Sequence, residues 1–150
     1  MVLHEEFARV VDALDSSGVE YALVGGLAVA VWGAPRATKD IDLLIRRDDL
    51  AMAMAAVRPC GFTLEALPFE FRDGSELQRI SKIDGQGDLL TLDFMLVNKN
   101  LEATWKSRIR LPFGDGHVTV ISREALIAMK GAAARPQDLL DIENLKAIDR

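Results

Sequence analysis

A single cysteine, Cys60, and two histidines, His4 and His117, are all that this 150-residue chain offers in soft metal ligands. An intrachain disulfide is therefore excluded, and so is a zinc centre built on cysteines or on a histidine cluster. Aromatic residues make up 6% of the chain against 49% hydrophobic residues overall, so the core has to be filled by Leu, Val, Ile, Ala and Met. A basic excess is missing too. The net charge of −5 argues against a general coat for nucleic acid. Arg36, Lys39, Arg46 and Arg47 still form a local basic cluster, which reads either as a solvated rim or as a basic patch.

Long apolar runs are absent as well. The longest, Tyr21 to Pro35, is interrupted by Gly25-Gly26 and falls short of the roughly 20 residues that a spanning helix needs. The first ten residues carry two glutamates and no apolar segment of the kind a secretion signal requires. These features predict a cytoplasmic protein with no membrane partner. The length fits one domain spanning residues 1–150, large enough to fold without a staple.

What is present is a strongly patterned α/β sequence. Leu3, Phe7, Val10, Val11 and Leu14 repeat at helical spacing, and Ser16-Ser17-Gly18 closes that helix. A buried strand over Tyr21 to Val24 precedes Gly25-Gly26. A short helix over Leu27 to Trp32 and a strand over Ile41 to Ile45 follow. Asp48 is placed to cap a helix running to about Arg58. Strands are expected over Phe62 to Leu67, Leu77 to Ile83 and Leu89 to Val97, and a short helix over Leu101 to Trp105. A hairpin should join Ile109–Phe113 to His117–Ile121, and Ser122 and Pro136 should open two final helices. The order predicts an α/β (α+β) domain, with helices packed mainly on one side of a mixed sheet, rather than a doubly wound fold.

The chemistry concentrates where Gly25-Gly26 is followed, after thirteen intervening residues, by Asp40-Ile41-Asp42. In a strand, Asp40 and Asp42 share a face and Ile41 takes the other. Two carboxylates roughly 5 Å apart repel by roughly 3 kcal/mol at an effective dielectric of 20, a cost that bound Mg²⁺ would reverse. On its own an Asp-x-Asp is equally a turn residue followed by a solvent-facing one. The glycines add a second component, because backbone N–H groups at a helix start form an anion site that glycine lets a phosphate approach. Tight turning and close helix packing also call for glycine. Asp93 is a third carboxylate, set in the apolar run Leu89 to Val97. Buried without a partner it would be costly, which either a metal or a salt bridge to Arg79 or Lys82 would relieve. Lys130, Arg135, Asp138 and Asp141 form the last cluster. Its negative charge in a helix's first turn suits the helix dipole, and its lysine suits a phosphate.

The segment Tyr21-Ala-Leu-Val-Gly-Gly-Leu-Ala through Arg36-Ala-Thr-Lys-Asp-Ile-Asp-Leu-Leu-Ile45 resembles the signature of the polymerase-β-type nucleotidyltransferase superfamily. The spacing of Lys130, Arg135, Asp138 and Asp141 is similar to the carboxy-terminal motif of its AbiEii-like, abortive-infection toxin branch. The resemblance implies Asp40, Asp42 and Asp93 as catalytic metal ligands for a two-Mg²⁺ site, and Gly25, Gly26, Lys130 and Asp138 as nucleotide-binding residues. It implies transfer of a nucleoside monophosphate from a nucleoside triphosphate to an acceptor hydroxyl, with pyrophosphate released. The acceptor would be transfer RNA, as in toxin-like members with a cognate antitoxin, a protein, or a small molecule such as an antibiotic. Gly26 stands where many members carry serine. A catalytically inactive nucleotide-binding or protein-interaction module of a toxin–antitoxin-like system is the non-enzymatic alternative.

Overall fold

The computed structural model describes residues 1–148. The amino-terminal helix, α1 (Leu3–Ser16), buries Phe7, Val10, Val11 and Leu14 along one stripe, as the periodicity requires. Glu6 is buried on the same helix and is held by Lys82 and Arg9. The central strand, β1 (Ala22–Val24), passes directly into α2 (Gly25–Trp32). The two glycines are thus the first residues of the helix rather than a loop before it. Gly25 has φ +72°, a left-handed conformation that glycine adopts without steric cost.

The second strand, β2 (Asp40–Ile45), is followed by a single 3₁₀ turn and then α3 (Leu50–Val57). Asp48 does not cap α3. It lies inside the turn Arg47–Asp49, and Asp49, at the N-cap, has αR dihedrals and makes no side-chain cap hydrogen bond. A capping side chain needs the extended backbone that this turn removes.

The expected strand over Phe62 to Leu67 is shortened to two residues, and a further two-residue strand follows it. β3 (Leu64–Glu65) and β4 (Phe69–Glu70) both pair with β5 (Glu76–Ile83), and Pro68, which cannot donate to a ladder, sits between them. Next come β6 (Leu89–Leu96), α4 (Glu102–Lys106), and the hairpin of β7 (Ile109–Phe113) and β8 (Gly116–Val120). The chain ends in α5 (Arg123–Ala133), whose first turn Ser122 caps by accepting from Ala125 N–H, and α6 (Pro136–Lys146). No helix among the described residues is long and apolar enough to cross a membrane.

The sheet runs β3-β5-β6-β2-β1-β8-β7, with β4 also on β5. It is mixed: β2 is parallel to β6 and antiparallel to β1, and β1 is parallel to β8. Its register positions the chemistry. Val24 lies opposite Asp42, Asp42 opposite Asp93, and Asp93 opposite Arg79, giving one row across β1, β2, β6 and β5.

Candidate active site

Val24, Asp42 and Asp93 of that row line a cleft of about 440 Å³, whose lining does not include Arg79. Gly25, Asp42, Asp93, Lys130, Arg135 and Asp138 all line it. One wall is apolar, from Phe71, Leu77, Met95, Leu101, Leu126 and Met129. The volume falls within the roughly 300–1,000 Å³ range of small-molecule and cofactor sites. Two residues expected at the site, Asp40 and Gly26, do not line the cleft. Asp40 is exposed at the start of β2, one pleat repeat from Asp42 and opposite Thr91.

Asp42 is the electrostatic centre. Burial, then the neighbouring charges of Asp93 and Asp40, push its carboxyl up from the ordinary 3.8 to about 7, against a smaller downward pull from Lys130. Among the described residues no salt bridge or side-chain hydrogen bond reaches it. Gly25 explains how it fits. A Cβ on Gly25 would stand 2.3 Å from Asp42 Oδ2, so only glycine lets the helix start lie against this carboxylate.

Asp93 is buried but not alone. Arg79 Nε donates to its Oδ1 at 2.8 Å and Arg79 Nη2 to its Oδ2 at 3.0 Å. Of the two partners open from sequence, the register selects Arg79, and Lys82 turns instead to Glu6 and the Cys60 carbonyl. Among the described residues no group of three His, Cys, Asp or Glu side chains is assembled to hold a metal ion in this arrangement.

Gly26 lies against a charged side chain. A Cβ there would fall 2.6 Å from Arg36 Nη2 and 3.1 Å from Thr38 Oγ1. The missing side chain makes room for Arg36, which crosses to α6. Arg36 Nη2 donates to Asp141 Oδ2 at 3.1 Å, and its Nε lies 2.9 Å from Oδ1 as an ion pair without hydrogen-bond alignment. Lys130 Nζ sits 3.0 Å from Asp141 Oδ2 and 3.2 Å from Asp138 Oδ1. Asp138 also accepts from Arg135 Nε and from the Arg135 backbone N–H, closing the first turn of α6. These donors, led by Arg135, hold the Asp138 carboxyl down at about 2, and hydrogen bonds from Gln137, Lys130 and Arg36 outweigh burial to lower that of Asp141. The Arg36–Asp141 pair, 105 residues apart, was not apparent from the sequence.

The arrangement sets negative and positive charge against each other across one cleft. Asp42 offers oxygen donors and an uncompensated negative field, and Asp40 and Asp93 stand on either side of it. Lys130 and Arg135 present positive charge across the cleft. Arg135 is three-quarters exposed, with a guanidinium only partly used by Asp138.

Comparison with known proteins points the same way. A sequence profile described as "Nucleotidyltransferase of unknown function (DUF6036)" matches residues 1–150. The fold resembles that of lincosamide antibiotic adenylyltransferase LnuA bound to lincomycin, with 20% identity, 99% of each chain covered and a TM-score of 0.66. It also resembles the antibiotic-resistance factor ANT(2'')-Ia (19% identity, 95% of this chain and 80% of that one, TM-score 0.67). The Thermotoga maritima protein TM1012 superposes with a TM-score of 0.69 at 14% identity, covering 95% of this chain and 93% of that one. A search of curated proteins finds no match. The mixed α/β architecture expected from the sequence is the one these structures share.

Proposed function

The chain belongs to the DUF6036 family of nucleotidyltransferases, and from that premise we propose that its cleft transfers a nucleoside monophosphate from a nucleoside triphosphate to an acceptor hydroxyl, with pyrophosphate leaving. The observation that carries this reading is Asp42, half-buried against Gly25 beside Asp93 and without a partner of its own among the described residues. A divalent cation such as Mg²⁺, held by Asp40, Asp42 and Asp93, would neutralise the triphosphate and make the acceptor oxygen a better nucleophile. The protein's own groups do the rest. The start of α2 brings backbone N–H groups and the bare Cα of Gly25 to the phosphates. Lys130 and Arg135 oppose the charge of the departing pyrophosphate. Asp138 and Asp141 fix the lysine on that side of the cleft.

The apolar wall favours a small-molecule acceptor, a hydroxyl carried on a partly hydrophobic body. LnuA, bound to lincomycin, and ANT(2'')-Ia, seen with adenylyl-2''-tobramycin, are neighbours of that kind. The second reading, a toxin-like enzyme acting on transfer RNA, rests on the convergence of Lys130, Arg135, Asp138 and Asp141, the residues that resemble the AbiEii-like motif.

The test is label transfer. Each of the four α-labelled triphosphates is incubated with Mg²⁺ and, separately, hydroxylated small molecules including lincosamides and aminoglycosides, total transfer RNA, and the protein alone. The expected result is labelled small molecule with pyrophosphate released in equal amount, falling by about a hundredfold or more in Asp42→Asn. Labelled transfer RNA would favour the second reading. Label on no acceptor in any mixture would point to a nucleotide-binding module without turnover.

A further inference from the structure

Among the described residues, Arg79 is the arginine that reaches into the carboxylate row. Its guanidinium takes both oxygens of Asp93 in a charge-assisted fork, at 2.8 and 3.0 Å. The partners differ in freedom. The Asp93 side chain is 8% exposed and fixed in the middle of β6, whereas that of Arg79 is 50% exposed on β5. Arg79 can therefore leave and Asp93 cannot. Arg79 also occupies the oxygens that any cation shared between Asp42 and Asp93 would need. A guanidinium that gives up a carboxylate finds an equivalent bidentate partner in a phosphate.

We propose that Arg79 is a displaceable internal cation: it occupies Asp93 while the cleft is empty, and gives it up as a divalent cation and triphosphate load the site. The idea rests on the metal-dependent reading given above. Arg79 is thus a positioning residue. It keeps Asp93 oriented in the empty protein, and it makes access to the third carboxylate depend on nucleotide.

The test is Mn²⁺ binding to the intact, nucleotide-free protein, followed by the electron paramagnetic resonance of free Mn²⁺. Arg79→Met, which keeps length but removes the charge, is expected to bind Mn²⁺ about tenfold more tightly than wild type, or to take up an additional ion. Adding Asp93→Asn in the same chain should cancel the gain. ATP should narrow the difference between wild type and Arg79→Met, because nucleotide releases Asp93 in the wild type. Arg79→Gln provides the same comparison should Arg79→Met not fold. Unchanged affinity in the Arg79 variants, or a gain that survives Asp93→Asn, overturns the proposal. If wild type still binds Mn²⁺ and Asp42→Asn does not, the metal site stands and only the role of Arg79 falls. Absence of Mn²⁺ binding in every variant, with and without ATP, rejects both.

Discussion

Asp42→Asn is expected to raise the stability of the metal-free protein at pH 8 while removing its transferase activity. The carboxyl is held at about 7 in the folded chain against an ordinary value of 3.8. Between those values the folded state binds a proton that the unfolded state has lost. Stability therefore declines as pH rises from about 4 to about 7, and above that the full cost of the buried charge remains. A shift of this size corresponds to about 4 kcal/mol, or on the order of 10 °C in melting temperature for a chain of this length. Asparagine carries no charge to bury, so the variant should lose this pH dependence and melt higher at pH 8. Thermal denaturation in EDTA at pH 6 and pH 8, on wild type and variant, measures it. A variant that melts lower than wild type at pH 8 would mean that Asp42 has a stabilising partner and is not a waiting ligand.

The second large effect lies on the opposite side of the cleft. Asp141 is fully buried and receives Arg36, Lys130 and Gln137 from three segments of the chain. Asp141→Ala leaves the buried ammonium of Lys130 with Asp138 alone and Arg36 without its carboxylate. Breaking one member of a buried ion network costs about 3–5 kcal/mol, which is a fall on the order of 10 °C. Asp138 and Asp141 are held below the usual carboxylate range, so the stability they supply is present above pH 4. It drains away as pH falls toward about 2, where Asp138 titrates. Urea denaturation at pH 7 and pH 3 should show the difference between wild type and Asp141→Ala shrinking in acid. A loss under about 1 kcal/mol at pH 7 would mean that solvent screens the network and that it does not fix Lys130.

These two sites also show what a sequence discloses. The Gly25 and Asp40-Ile41-Asp42 elements were legible because strand alternation and a helix start are local properties, readable from spacing over a few residues. The same local rules placed Ser122 and Pro136 at helix starts. The partner of Asp93 was legible only as a choice between Arg79 and Lys82, since strand register decides it and register depends on contacts distant in sequence. Gly26 has a role that its spacing does not disclose: its bare Cα makes room for Arg36, whose partner lies 105 residues away and leaves no periodic trace. The apolar run from Phe62 to Leu67 is shorter as a strand than its composition suggests because only its start faces the core: Phe62 is fully buried, whereas Leu67 is 90% exposed.

The most direct test of the account is triphosphate binding followed by thermal shift, with and without Mg²⁺, on wild type and on the chain carrying both Asp40→Asn and Asp42→Asn. The account predicts that at least one nucleoside triphosphate stabilises wild type only when Mg²⁺ is present, by about 3 kcal/mol at a hundredfold excess over Kd, and that the double variant shows no such shift. Equal stabilisation with and without Mg²⁺, or a shift that persists in the double variant, would contradict it.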